Sequence, residues 1–588
     1  MTGIIRRMHT GGTIVNGHYV PTMDEMMAYQ AARGARWEDS VTYGYGTVWF
    51  CLAILAIFFI ARWLEMITSW TRVNQTPHIV PEKLVALLRV CSYPRLPYSI
   101  ARIVNVVWTI GPLGPNIMLF IALLFTSLYC WVARHYYSTP FYGSPPLALR
   151  SEWIATALIP FVFVLGAKRN LISWVVGVSH EKLQVFHQGV AFLIVYMSLV
   201  HTISMVVQAC SERPFRDAYV SDYVWWSGFA ALGALLWLWL GSLPVLRHRL
   251  YEGAYLLHIA AAIMFIGFLY YHGFSLLDTD LYMKITLGLF GFGFLAHFVY
   301  MVITNVLFKH RAQLSLQNGF VRVTIPTNLN WRPGMHIFVR FLHIRPFESH
   351  PFTISSLPGA DAKDGSKNNE LVFLVKIESG FTHSLGDCAA QEALTRQFPV
   401  ILDGPYGESG ANTLRSYDSV LLLAGGMGLT FITPILSDLA RSMKQKTGIC
   451  KTVDVVLSAK HRDVVRACEA QLLGAQSVIR AAGGTIEFYV HITGDSTGEE
   501  GRVESRESEK EVALDDGSLG QIIIGRPDIA GLVSSRAMTW NGYTAVAVCG
   551  PLSFLTSASN AVARAQWDIL RGRATCKEMF LRSETFGW

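Results

Sequence analysis

The chain has 588 residues, 52% of them apolar and only 15% charged, with a formal charge of +7. That is too apolar for an ordinary soluble protein and points to a membrane protein with a soluble portion. The charge is modest and no Lys/Arg run stands out, which argues against a nucleic-acid partner and for basic residues in cytoplasmic loops. Nine cysteines without a C-x-x-C pair suggest neither a disulfide framework nor a thiolate metal site.

Residues 1–46 read as an extracytosolic N-terminal segment, and Arg6 and Arg7 are followed by no apolar run, so a cleavable signal peptide is not expected. Seven apolar segments follow, at about 47–69, 116–133, 153–167, 185–207, 224–243, 253–273 and 283–308. Most approach the roughly 20 residues that cross hydrocarbon as a helix, and 153–167 is the shortest. Loops on one side carry Arg72, Lys83, Arg89, Arg95 and Arg102, then Lys168, Arg169 and Lys182, then Arg247 and Arg249, with Lys309 and Arg311 after the last span. The opposite loops hold mixed charge, as at Glu212 and Asp217, or acid alone, as at Asp278 and Asp280. Basic short loops prefer the cytoplasm, which puts the C-terminal half in the cytosol and the N-terminus outside.

Beyond Arg311 the pattern changes to short β-like runs at 320–325, 337–341 and 371–377, separated by Pro/Gly turns. From Val420 onward strand-like runs alternate with helical stretches, the pattern of a doubly wound α/β domain. The expected fold is a multi-domain membrane protein: an α-helical bundle of about seven spans over 47–308, a small β-barrel over 311–412 and an α/β domain over 416–588. The polar, acid-rich stretch 494–518 reads as a disordered loop inserted in the last of these.

Two spans carry paired histidines, His187 with His201 and His258 with His272, each pair fourteen residues apart. Fourteen residues are close to four helical turns, about 21 Å of rise, so each pair lies on one helix face near opposite edges of the bilayer. Both spans run from inside to outside, which sets His187 against His258 and His201 against His272. Two imidazoles on facing helices can ligate a haem iron axially. One intramembrane histidine alone is more often a hydrogen-bonded core residue; two pairs at one spacing favour ligation by all four. His297 and His180 lack such counterparts and read as structural.

Residues 350–356 read HPFTISS and follow WRPGMHIFVR at 331–340. Here the chain resembles the ferric reductase and NADPH oxidase family, in particular the fungal ferric-chelate reductases, which are transmembrane flavocytochromes b. Met335 stands where that family commonly has Gln. The resemblance implies a ferredoxin-reductase-like FAD domain in which His350, Pro351, Phe352 and Thr353 line the flavin. Gly380, Phe381 and Thr382 are candidates for its pyrophosphate, which needs backbone N–H groups and hydroxyls. Gly425, Gly426 and Gly428 follow an apolar strand and open a helix, where N–H groups and the positive helix end can face a phosphate. Within the resemblance, Gly425 to Thr430 would hold the pyrophosphate of a nicotinamide nucleotide, and Cys549, Gly550 and Pro551 would lie near the nicotinamide. Lys460 and Arg462, after the next strand, carry charges that could meet a 2′-phosphate, and Gly525-Arg526-Pro527 matches a motif that the family places at the nucleotide; these basic residues favour NADPH. The terminal ETFGW places Phe586 or Trp588 as the aromatic residue that stacks on the flavin and swings away.

The function so implied is electron transfer from cytosolic NADPH through FAD and two b-type haems to an acceptor outside, with ferric or cupric ion first. A span ahead of the usual six resembles the fungal reductases more than the oxidases. A superoxide-generating NADPH oxidase would use nearly the same machinery. A transporter or sensor with a nucleotide-binding cytosolic half is the reading of a different class. The partners expected are the lipid bilayer, NADPH and a metal ion or chelate, with the plasma membrane as the site and a metal permease or other accessory subunit left open.

Overall fold

The computed structural model describes residues 11–585 apart from 16, 34–37, 77–79, 107, 134, 248–250, 275, 318, 360–368, 392–395, 409–413 and 495–518. Nearly all of the expected insertion, together with Phe586 and Trp588, therefore lies outside the described residues.

The membrane half contains α1 (Val41–Val73), α2 (Glu82–Ser92), α3 (Leu113–Trp131), α4 (Pro146–Gly166), α5 (His180–Glu212), α6 (Tyr223–Gly241), α7 (Tyr251–His272) and α8 (Thr279–Val306). All but α2 are long and apolar enough to cross a bilayer. Large apolar side chains such as Trp49, Ile60, Ile263 and Phe294 point outward, the reverse of a water-soluble bundle. Trp63 and Trp70, exposed toward the C-terminal end of α1, suit the polar boundary of the bilayer.

The shortest expected segment proves to be the hub. In α4, 83% of the apolar window is buried by protein, against at most 28% in any other span. A helix shielded from lipid can carry polar groups, and Arg150 in its first turns is 5% exposed. Its Nε donates to the Cys130 carbonyl at 3.0 Å and its Nη2 to that of His135 at 2.8 Å. Satisfied in this way, the guanidinium does not end the helix, which begins seven residues before the expected start.

The first unit beyond the spans has strands β1 (Arg311–Gln317), β2 (Phe320–Thr327), β3 (His336–Phe341), β4 (His350–Thr353) and β5 (Asn369–Lys376), helix α9 (Phe381–Gln391) and strand β6 (Gln397–Tyr406). They form one antiparallel sheet in the order β4-β3-β6-β1-β2-β5. Its end strands approach each other beyond β4, where Ser355 N–H donates to the Val372 carbonyl at 2.8 Å. Alternate residues of β1 and β3 are buried, the period-2 pattern that one apolar sheet face requires.

The second unit runs β7 (Ser419–Gly425), α10 (Leu429–Gln445), β8 (Thr452–Ala459), α11 (Glu469–Ala481), β9 (Thr485–Ile492), β10 (Gln521–Ile524), α12 (Ile529–Thr539), β11 (Gly542–Gly550), α13 (Leu552–Leu570) and β12 (Cys576–Thr585). All six strands are parallel, in the order β10-β9-β8-β7-β11-β12. β7 and β11 are buried along almost their whole length, as strands covered by helices on both faces must be. The order reverses between β7 and β11, which opens a crevice at their carboxyl ends.

Candidate functional site

The four intramembrane histidines meet in two pairs. The ring centres of His187 and His258 are 6.4 Å apart and those of His201 and His272 are 6.3 Å apart. Roughly 6 Å is the separation two imidazoles take when one metal ion lies between their inner nitrogens at about 2 Å from each. Each Nδ1 faces a fixed acceptor: the Val162 carbonyl at 2.9 Å for His187, Ala148 at 3.1 Å for His201 and Val224 at 2.9 Å for His272. His258 Nδ1 lies 3.0 Å from Ser242 Oγ, whose own O–H donates to the Leu238 carbonyl at 2.6 Å. A carbonyl can only accept, and this hydroxyl has already committed its proton, so every Nδ1 carries the hydrogen. The network thus leaves all four Nε2 lone pairs free for a metal. Glycine makes room: a Cβ at Gly228 would stand 2.8 Å from the His272 ring, and one at Gly166 3.2 Å from that of His187. The donor set fits two bis-histidine haems, one near each face of the bilayer.

Beneath the His187/His258 pair, the ends of the spans on the side of the C-terminal domains grip the sheet that carries HPFT. His336, from the PGMH run, is the cross-strand partner of Thr353, and its Nε2 lies 3.0 Å from Glu181 Oε1 at the start of α5. The Glu181 carboxylate also meets His180 Nδ1 at 3.0 Å, and the His180 ring packs edge-on against Tyr406. Lys168 Nζ donates to Asp403 Oδ2 at 2.9 Å, and Tyr406 Oη donates to the same carboxylate. Burial pushes the Asp403 carboxyl up, but the Lys168 ammonium and the Tyr406 hydroxyl outweigh it and hold the group below its ordinary range. His297 Nε2 comes within 3.8 Å of Asp403. His180 and His297, which the sequence leaves as structural, therefore both stand at this junction.

His350, Pro351, Phe352 and Thr353 form β4 and are all half-buried. His350 stacks on Phe381, 4.3 Å between ring centres and 21° between planes, and its Nε2 lies 3.1 Å from Glu348. Phe381 is 4% exposed and belongs to the core of the sheet, so it backs His350 from beneath. Gly380 has φ +65° and open space where a Cβ would be, at the mouth of α9. Thr382 Oγ1 accepts from Glu378 N–H at 3.1 Å, which closes the same turn.

Gly425 ends β7 and Gly550 ends β11, so the two glycine motifs meet at the switch point. A Cβ on Gly550 would stand 3.0 Å from the Gly425 Cα, and one on Gly428 2.1 Å from the Cys549 carbonyl oxygen. Gly426 has φ +56° and faces open space. The positions are thus bare where backbones touch and where a phosphate can approach. Thr430 is buried and its hydroxyl donates to the Met427 carbonyl at 2.9 Å. Cys549 is fully buried, and burial pushes its thiol well above its ordinary value, so it is protonated near neutral pH. Pro551 caps α13. Lys460 and Arg462 are exposed just beyond β8, and Arg526 just beyond β10, on the crevice side of the sheet.

Contacts invisible to sequence reasoning join the two units beyond the spans. Arg582 of β12 donates to the Pro333 carbonyl at 3.1 Å and lies over the Phe431 ring, while Gly334, at φ +83°, leaves room for both. Lys182 bridges Glu408 at 2.7 Å and Glu584 at 3.1 Å. Burial pushes Glu408 up, but Lys182 and Arg582 outweigh it and hold it below its ordinary value. Thr585, beside Gly550 in the β11–β12 register, leads directly to Phe586.

Three stretches match known families: 151–269 the ferric reductase like transmembrane component, 309–410 an FAD-binding domain, and 417–563 the ferric reductase NAD binding domain. The Aspergillus oryzae protein named "Probable cell surface ferric reductase kap2" is 30% identical over 367 residues, 60% of this chain and 49% of that protein. Ferric/cupric reductase transmembrane component 7 of Saccharomyces cerevisiae is 28% identical over 430 residues, 71% of this chain and 66% of that protein. Over its aligned part this chain thus spans half to two thirds of the length of these curated relatives. Among solved structures, a ferredoxin-NADP+ reductase from Plasmodium falciparum aligns at 10% identity over 47% of this chain and 95% of that one, with a TM-score of 0.31. With the three matched domains in this order and relatives of 28–30% identity over 60–71% of its length, the chain carries the transmembrane, FAD-binding and NAD-binding domain set of the ferric reductases.

Proposed function

We propose that the protein is an NADPH-dependent metalloreductase that carries electrons from the cytosol, by way of FAD and two b-type haems, to ferric or cupric ion on the far side of the membrane. The observation that carries this reading is the double imidazole pair, each ring locked with its Nε2 free, directly above a sheet bearing HPFT. When bound, FAD takes two electrons at once from a nicotinamide and gives them up singly to haem, a one-electron carrier.

The chain's own residues supply position and polarity. Gly426 and Gly428 with the first turn of α10 offer backbone N–H groups to a pyrophosphate, and Lys460, Arg462 and Arg526 offer charge to a 2′-phosphate. His350 and Thr353 offer a half-buried wall and a hydroxyl to a flavin ring, and Glu181 ties that wall through His336 to the helix that holds His187. Phe586, or Trp588, would cover the flavin from the chain end that β12 delivers beside Gly550. A plasma-membrane location with a cytosolic C-terminal half agrees with the basic loops and with the relative named a cell surface reductase.

The test is side-specific reduction in sealed vesicles that expose the C-terminal domains. NADPH added outside should reduce an impermeant Fe(III) chelate trapped within, two ions for each NADPH. Superoxide as the main product under air would reassign the acceptor. A haem-free, flavin-free protein would overturn the redox reading.

A further inference from the structure

Residues 74–112 join the spans α1 and α3, and α2 lies within them. Its two sides differ. Ala86 is buried in a core of the NAD-binding unit, and Arg89 Nη1 donates to Glu578 Oε1 of β12 at 2.6 Å. Around that side Tyr543 Oη donates to Glu82 Oε1 at 2.8 Å, Tyr93 Oη accepts from Leu581 N–H at 3.3 Å, and Asn560 Oδ1 accepts from Arg95 N–H at 2.8 Å. The opposite side carries Leu84, Leu87, Leu88 and Cys91, at the i, i+3, i+4, i+7 spacing of a single helix stripe. The three leucines are 48–61% exposed and Cys91 is exposed with them. Single exposed leucines are ordinary, but an unbroken row marks a contact surface.

The helix is held level with the ends of both spans. Its first turn meets Tyr543, over whose ring the guanidinium of Arg72, in the last turn of α1, lies at 4.3 Å. Glu578 receives Arg89 and that same Arg72. At the other end, a Cβ on Gly114 in the first turn of α3 would stand 2.9 Å from Ser92 Cβ, and Leu113 N–H donates to the Pro94 carbonyl at 2.8 Å. α2 thus runs from the foot of one span to the foot of the next, on the side of the C-terminal domains. Trp70 of α1 is 62% exposed and Leu113 of α3 39%, so the lipid-facing surface of the spans continues to either end of the stripe. The short helix Tyr98–Val104 repeats the pattern: Ala101 is buried, whereas Tyr98, Ile100 and Ile103 are exposed.

We propose that α2 is a two-sided adapter, whose leucine stripe, continued by Ile100 and Ile103, sinks into the headgroup layer of the bilayer and fastens the NAD-binding unit to the membrane surface. A helix at this level, with one side resting on that unit, turns its other side to the lipid. Lipid fits the row better than a protein partner does. The row is narrow, it is continuous with lipid-facing side chains at both ends, and Lys83 and Arg102 are exposed beside it, where long basic side chains reach phosphate headgroups. An amphipathic helix so placed restrains the NAD-binding unit without crossing the bilayer, and this role does not depend on the electron-transfer reading.

The test uses the full chain in nanodiscs of phosphatidylcholine and phosphatidylserine. The photoreactive residue p-benzoylphenylalanine is placed at Leu88 and, as a lipid-facing reference, at Ile263, which is 69% exposed in the middle of α7. After irradiation, mass spectrometry should find phospholipid adducts at position 88 in a yield within a few-fold of that at 263. Adducts with protein only, a second copy of the chain included, or no adduct at all would overturn the proposal. Independently, Leu84→Gln combined with Leu88→Gln changes exposed positions and leaves Ala86, Arg89 and Tyr93 in place. That variant should speed amide hydrogen exchange across Glu82–Ser92 roughly tenfold or more and leave exchange in α4 as it was. Exchange in α2 equal to that of the unsubstituted chain would show that lipid does not hold the helix, and would overturn the adapter.

Discussion

The two histidine pairs hang on the same four helices, yet they are held differently. The outer pair, His201 and His272, rests chiefly on main chain, the carbonyls of Ala148 and Val224 at 3.1 and 2.9 Å, with Ser227 Oγ farther off, 3.4 Å from His272 Nδ1. The inner pair has one main-chain acceptor, Val162, and one side chain, Ser242, just past the end of α6. A further asymmetry is charge. Glu152 brings Oε2 within 3.7 Å of His201 Nδ1, and no carboxylate stands so close to the inner rings among the described residues. The outer site is thus fixed chiefly by backbone and shaded by an acid, whereas the inner site depends on one hydroxyl for His258 and faces the C-terminal domains.

Deleting ligands gives the largest contrast. His187→Ala and His201→Ala should each halve the haem content, but with opposite consequences for NADPH. Without the outer haem, NADPH should still bleach the remaining one to its reduced band; without the inner haem, dithionite should reduce the survivor while NADPH reaches only the flavin. Equal behaviour of the two variants in reduced-minus-oxidised spectra would erase the inner–outer distinction.

Steric substitutions come next. Gly228→Ala puts a methyl 2.8 Å from the His272 ring, and Gly166→Ala puts one 3.2 Å from that of His187. Overpacking of this kind costs about 1–3 kcal/mol, so both variants should lose stability, the first more, and the first should shed outer haem selectively. Haem-to-protein ratios and thermal melts would rank them. Below these in size stands Glu152→Gln, which keeps volume and removes the ionisable group. It should raise the outer midpoint potential by tens of millivolts and leave the inner one in place, where roughly 59 mV corresponds to about 1.4 kcal/mol for one electron. A redox titration that moved both potentials equally would show that Glu152 acts on the bundle as a whole.

The sequence makes the ligands legible and hides what holds them. Fourteen-residue spacing shows because helical geometry turns a number into a face, and four histidines among apolar residues stand out. Three of the four acceptors are carbonyls, which every residue type supplies, so nothing in the composition of Ala148, Val162 or Val224 marks them. The start of α4 was concealed for a related reason: Arg150 and Glu152 lower the hydropathy of a turn that protein, not lipid, surrounds. In the C-terminal half the alternation of strands and helices gives the doubly wound order, and the glycine motifs fall at its switch point. The joints do not show in this way. Lys182 counts in the sequence only as a basic loop residue, and its partners Glu408 and Glu584 lie more than two hundred positions away.

Ser242→Ala is the gentlest change and the most informative about the inner site. The hydroxyl accepts from His258 Nδ1 at 3.0 Å while donating to Leu238, so its loss removes one acceptor without moving the helix. A hydrogen bond of this kind is worth about 1 kcal/mol, and partners of a metal-bound imidazole affect metal affinity by about 10- to 100-fold. An imidazole that gives its Nδ1 hydrogen to an acceptor is the stronger electron donor at Nε2. Removing the acceptor should therefore weaken donation to the inner iron, raise its midpoint potential and slow onward transfer to the outer site, with His201 and His272 unaffected. Ser242→Thr, which keeps the hydroxyl, should restore the native potential. If the alanine and threonine variants titrate alike, the tautomer of His258 is set by something other than Ser242.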